Sequence, residues 1–201
     1  MQNVLKVQKK KRLDTKVLVR ISLLSVISYL LMFIHGPLPI FPAFLKLDVA
    51  ELPALIGGFS MGPLAGVAIV LIKNILHFVT KTSTGGVGEL SNFIVGSAYV
   101  LTASLIYLKY KSRLGAILGM LLGTIMMAIT GALSNYYLII PFYSNFMPIE
   151  QIVALGSAVN KYIVDVQTLI LYGITPFNIV KGLSNSILTL VMYKSVSRLL
   201  K

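Results

Sequence analysis

The chain has 201 residues, of which 56% are apolar and only 12% charged, with a mean hydropathy of +0.86. A soluble domain carries about 25% charge, so an ordinary cytosolic enzyme, a disordered tail and a coiled coil are excluded. The absence of cysteine excludes disulfides, thiolate zinc sites and a cysteine nucleophile.

The whole chain, 1–201, reads as a single integral membrane domain: a basic tail over 1–16, then a six-helix bundle over 17–198. The first span is expected over 17–34. No small-residue cleavage site follows it, so it reads as a retained span and not as a signal peptide. A pair follows over 52–60 and 63–79, split by Gly57, Gly58, Gly62 and Pro63. The fourth span is expected over 93–108, the fifth over 114–140 and the sixth over 177–193, each near the ~20 apolar residues a crossing needs. Between the last two, Ile152, Val153, Leu155, Val159, Tyr162 and Ile163 recur at helical spacing among polar residues. That stretch, 150–172, reads as one helix lying at the membrane surface.

Charge fixes the orientation. Lys6, Lys9, Lys10, Lys11, Arg12, Lys16 and Arg20 cluster at the start. Lys109, Lys111 and Arg113 sit between spans four and five, and Lys194, Arg198 and Lys201 at the end. With six spans these fall on one side, which the positive-inside rule makes cytoplasmic. Asp48, Glu51, Glu89, Glu150 and Asp165 fall on the other side and are expected near the outer surface. The net charge of +12 thus reports topology and contact with anionic lipid, not nucleic-acid binding.

The outer loops are long. In the first, from His35 to Asp48, Pro37, Pro39 and Pro42 forbid a regular helix through Phe41. Its apolar residues predict a segment folded back onto the helices as a lid or wall. The second, Lys81 to Asn92, is glycine-rich and reads as a hinge or as backbone N–H groups offered to a ligand. It lacks the ending of a nucleotide-binding loop. Inside the spans, polar side chains are costly and therefore informative. Asn178, Lys181 and Asn185 share one face of the sixth helix, and Asn135 on the fifth is placed to reach the same space. Together they suit a ligand rich in hydroxyls or carbonyls. Lys73, Asn74 and His77 read as structural. Gly115, Gly119 and Gly123, and Gly62 with Gly66, form small-residue ladders for close helix contact. Ser22, Ser25 and Ser28 form a small polar stripe on the first helix, read equally as a partner-docking face or as internal packing. Enzyme motifs and a metal-ligand cluster are absent from the sequence, and no intramembrane carboxylate pair or proton relay is expected.

Several stretches resemble the substrate-binding S components of energy-coupling factor (ECF) vitamin transporters, most closely the riboflavin-specific ones. They are Phe41-Pro-Ala-Phe-Leu-Lys-Leu-Asp48, Glu51-Leu-Pro-Ala-Leu-Ile-Gly-Gly58, Gly62-Pro-Leu-Ala-Gly66, Ile72-Lys-Asn-Ile-Leu-His77, Gly88-Glu-Leu-Ser-Asn-Phe93, Asn135-Tyr-Tyr with Pro141-Phe-Tyr143, and Pro176-Phe-Asn-Ile-Val-Lys-Gly182. The resemblance implies an all-α fold of six transmembrane helices with both termini cytoplasmic, in a bacterial cell membrane. It implies a subunit without cofactor or catalytic activity that captures riboflavin outside. A membrane T component and two ATPase chains would supply the energy. By motif it implies that Asn135, Asn178 and Lys181 contact the flavin, and that Phe44, Leu47 and Asp48 lie in the covering loop. Gly88 and Asn92 join the site on the same ground. The family's docking patch is Ala-x-x-x-Ala; here Ser22, Ser25 and Ser28 stand in that region at a different spacing. An S component for another vitamin, and a membrane assembly protein without a small ligand, remain open.

Overall fold

The computed structural model describes residues 14–196, with side chains up to Met192. Most of the N-terminal basic cluster, and Arg198 and Lys201, lie outside the described residues. Helix α1 (Thr15–Leu31) opens where the Asp14 carboxylate accepts the Lys16 N–H at 3.1 Å, satisfying one of the free donors of a first turn. A short antiparallel hairpin follows, β1 (His35–Pro37) against β2 (Lys46–Asp48), with His35 opposite Asp48. The prolines exclude helix here, as expected, and the extended ends of the loop pair with each other.

Helix α2 (Glu51–Met61) and helix α3 (Pro63–Lys81) are separated by one residue, Gly62, whose φ of +103° favours glycine. Pro63 then starts α3, where its missing N–H costs nothing. The expected second span is therefore an 11-residue helix, about 16 Å long at 1.5 Å per residue. It is half a bilayer core in length and is buried along almost its whole extent. Helix α4 (Val87–Lys109) begins after the Gly85-Gly86 turn. Helix α5 (Arg113–Tyr143) is capped by Ser112, which accepts the Gly115 N–H at 3.0 Å.

Near its end α5 widens into a π turn, Asn135–Ile139. Pro141 lacks the N–H an α-helix would use there, and the Ile140 N–H reaches back five residues to the Asn135 carbonyl. The 150–172 stretch is not one surface helix. It holds a short helix, α6 (Ile149–Ser157), a turn, and then the start of the last helix. A capping box between Asp165 and Thr168 starts that helix 11 residues earlier than the apolar pattern indicated. It runs through Val166–Leu169, a π turn at Ile170–Ile174, and Thr175–Val196; together these are α7.

Burial is inverted relative to a soluble protein. Leu64, Val79, Ile187 and Val191 are exposed, while Ser25, Ser28, Thr124, Asn185 and Thr189 are buried. Large aliphatic surface facing outward and small or polar groups facing inward is the pattern of a bundle solvated by lipid. Among the described residues α3, α4 and α5 are each long and apolar enough to cross a membrane. The glycine ladder is used internally. A Cβ at Gly119 would lie 2.6 Å from the Ala103 carbonyl oxygen, and one at Gly123 2.8 Å from that of Tyr99. These glycines thus set the close approach of α5 to α4. The serine stripe also faces inward: Ser25 donates to the Ile21 carbonyl at 2.7 Å, and Ser28 donates to the Ala50 carbonyl. Only Ser22 stays exposed, bonded to Leu18 of its own helix.

Lys73 is structural, as expected, but by an ion pair the sequence did not announce. Its Nζ lies 2.7 Å from Glu51 Oε1, with both side chains 1% exposed. Removing one partner of such a pair leaves an uncompensated buried charge, which costs about 3–5 kcal/mol, whereas replacing both with apolar groups is often neutral. Lys73→Met should therefore lower the thermal midpoint in detergent sharply, and Glu51→Leu added to it should recover most of the loss. A single variant as stable as the parent would refute this role.

Candidate functional site

A cavity of about 400 Å³ lies where six helix ends converge. Around it stand the C-terminal ends of α1, α3 and α5, at Met32, His77 and Tyr143. Alternating with them are the N-terminal ends of α2, α4 and α7, at Glu51, Val87 and Leu169. The volume falls within the range of small-molecule sites, which are mostly apolar with a few placed polar groups. One wall is an apolar cluster of Ile140, Ile152, Leu169 and Ile174, backed by Leu45, Tyr143 and Met147. Helix α6 supplies Ile152 and Leu155 to this lining, so the segment expected to lie at the surface closes one side of the cavity.

The two π turns bring the polar wall into place. Asn135, Ile139, Ile140 and Tyr143 all border the cavity from α5, and Leu169, Ile174, Phe177, Asn178 and Lys181 do so from α7. Asn135 and Asn178 each give one amide N–H to the carbonyl four residues back, at 2.8 and 2.9 Å. Each amide has a second N–H and an acceptor oxygen to offer. Gly131 makes the room: a Cβ there would sit 2.6 Å from Asn178 Nδ2. Lys181 donates to Asp48 Oδ2 at 2.8 Å and to Asn92 Oδ1 at 3.2 Å, leaving one of three ammonium protons.

The hairpin loop forms the third wall. Phe41 packs edge-on against Phe177, ring centroids 5.5 Å apart. Asp48 is held three ways: its carboxylate accepts from Lys181 and from the Ala50 N–H, and its carbonyl accepts from Asn185 at 3.1 Å; Ser28 bonds the Ala50 carbonyl just beyond. Burial pushes the Asp48 carboxyl up; the Lys181 ammonium, with Lys73 behind it, more than offsets this and holds the group below the usual carboxylate range. The Asp48 carboxylate therefore stays ionised at neutral pH.

Of the residues singled out from sequence, Asn135, Asn178, Lys181, Phe44, Asp48, Gly88 and Asn92 all border this cavity. Leu47 does not. It lies between Lys46 and Asp48 on a strand whose side chains alternate, and those two neighbours take the cavity face. The Gly88 N–H is already given to Thr84 Oγ1 at 3.0 Å. Asn74 bonds its own helix at Val70. His77, expected to be structural, lines the cavity instead, its Nδ1 2.7 Å from Glu89 Oε1; Thr82 and Thr84 donate to the other oxygen.

The expectation that Asp48, Glu51 and Glu89 sit at the outer surface is corrected. All three are buried and each faces a basic group. Sequence reasoning missed Glu51, Glu89 and His77 as lining residues. The available signal was the isolated acid opening an apolar run at Glu51 and the isolated lysine within another at Lys73.

The family profile of the ECF transporter substrate-specific component matches residues 16–193. The riboflavin transporter RibU of Staphylococcus aureus strain TCH60 is 35% identical over 188 residues, covering 94% of each chain. The riboflavin transporter FmnP of Bacillus subtilis strain 168 is 37% identical over 173 residues, covering 85% of this chain and 86% of its own. A solved structure of the S component of a bacterial ECF transporter superposes with a TM-score of 0.74 at 32% identity, covering 93% of this chain and 98% of that one. The alternating helix ends, the inward polar groups and these likenesses have one common explanation: the chain belongs to the substrate-specific components of ECF transporters, a family of membrane transport subunits and not of enzymes.

Proposed function

We propose that this chain is the riboflavin-binding subunit of an ATP-driven ECF importer. It takes the vitamin from the outer face of the bacterial plasma membrane and passes it on together with a T component and two ATPase chains. The observation that carries the reading is the cavity: an apolar wall on one side, and Asn135, Asn178, Lys181 and Asn92 on the other. A flavin is a flat apolar ring with polar edges and a hydroxylated chain, and such a ligand needs this division. Relatives named as riboflavin transporters support the same choice.

In this reading Asn135 and Asn178 meet polar edges of the ligand, Lys181 gives its third proton to a ligand oxygen, and Phe44 and Asp48 belong to the covering loop. The six helices α1 to α5 and α7 run alternately up and down, with the short α2 counted as one descent. In this reading the start of α1 and the end of α7 lie at the end opposite the cavity. The basic loop at Lys109, Lys111 and Arg113 lies there too, which the positive-inside rule assigns to the cytoplasm.

Lys181→Met removes three donors at nearly constant volume. Riboflavin affinity, titrated calorimetrically in detergent, should fall by about 1–3 kcal/mol, or roughly five- to more than a hundredfold. Asn178→Leu and Asn135→Leu should act similarly. Gly131→Ala should weaken binding without touching the ligand, because the new methyl displaces Asn178. Wild-type affinity in all four would refute the site.

The natural chain has no cysteine, so single cysteines report topology cleanly. One at Lys161 should react with an impermeant thiol reagent in intact cells and one at Lys111 should not; the reverse would overturn the orientation. Reconstituted alone with ATP, the chain should bind riboflavin without concentrating it, and accumulation by the lone chain would contradict the proposed division of labour.

A further inference from the structure

Three carboxylates border the cavity among the described residues, and two are fully engaged. Asp48 accepts from Lys181 and Ala50, and Glu89 is bonded to His77, Thr82 and Thr84. Glu51 differs. Lys73 Nζ stands 2.7 Å from its Oε1, while Oε2, equally buried, has no hydrogen-bond partner among the described residues. Buried acceptors left unmade are costly and rare.

Glu51 also belongs to the cavity wall. It abuts Gly96 of α4, where a Cβ would lie 2.7 Å from Oε1, and Glu51 and Gly96 border the cavity together. Lys73 already balances the negative charge, so what the group lacks is a neutral donor and not a cation. A carboxylate presents about four lone-pair sites and no donor. Hydroxyl groups suit it. The one N–H on a flavin ring does not, because two carbonyls flank it and their lone pairs would face the carboxylate. The ring edge instead suits an amide, which both donates and accepts, as Asn135 and Asn178 do.

We propose that Glu51 is a ligand-binding residue that accepts hydrogen bonds from the hydroxylated side chain of the flavin, and so makes the site select flavins that carry a polyol over the bare ring. The assignment rests on the riboflavin reading above and adds to it which part of the ligand is recognised, and from where.

The test compares riboflavin with lumiflavin, which has the same ring and a methyl group in place of the polyol. Two variants are titrated in detergent: Glu51→Gln, and the charge-free pair Glu51→Leu/Lys73→Met, which leaves no buried charge unpaired and so protects the fold. Both should lose about tenfold or more in riboflavin affinity while binding lumiflavin within about twofold of the parent. Parallel losses for the two ligands would make Glu51 a structural residue and overturn the assignment, as would unchanged riboflavin affinity in the charge-free pair. A parent chain that binds neither flavin would instead sink the flavin reading, and this assignment with it.

Discussion

Charge taken out of water needs a partner, and in a bundle this apolar the need organises the polar end of the molecule. Lys181 on α7 reaches Asp48, and through it fixes the end of the hairpin loop. Lys73 on α3 reaches Glu51 at the head of α2. Val49 and Ala50 alone separate the two acids in sequence, so the pairs share one short segment. The carbonyl groups of that segment are bonded by Asn185 and Ser28 from two further positions. A helix of 11 residues with a single-residue joint behind it has little hold of its own. Anchoring its head to α3, and the residues before it to α7 and α1, gives α2 a fixed place. The cavity can then have a wall made of loop, because that loop is tied at its far end by charge.

The same economy explains the division inside the cavity. The buried lysines near it, Lys73 and Lys181, are paired with Glu51 and Asp48, and the apolar wall comes from α5, α6 and α7. Little net charge remains to attract an ion. What is left is a set of amide groups and hydroxyl-seeking oxygens beside a hydrophobic slot, which rewards a neutral, flat, polar-edged molecule.

Long-period features were legible in the sequence and short-range backbone choices were not. The helices α1, α3, α4 and α5 were legible as apolar runs near the length a bilayer crossing needs. Asn178, Lys181 and Asn185 came from helical spacing on one face. The loop's return onto the helices followed from prolines and phenylalanines in a segment too apolar for water. Three things escaped. The early start of α7 depends on a capping box at Asp165 and Thr168, a local signal overridden in the reading by the polar residues that precede it. The π turns depend on where a missing N–H falls relative to tertiary packing. The burial of Glu51 and Glu89 was hidden because an acid beside a span looks the same whether it faces water or a lysine 22 residues away in sequence. Pairing across helices is a property of the fold, and single-chain periodicity does not carry it.

The π turns at Asn135–Ile139 and Ile170–Ile174 have an evolutionary corollary. Each holds one residue more per turn than the α-helix around it. The wider turn absorbs that residue, so the helix on either side keeps its winding and its facing. On α5 this leaves Asn135, Ile140 and Tyr143 on one cavity wall, and on α7 it leaves Leu169 with Asn178 and Lys181. A one-residue change of length at either turn would therefore reshape the wall inside the turn while the bundle beyond it stays in place.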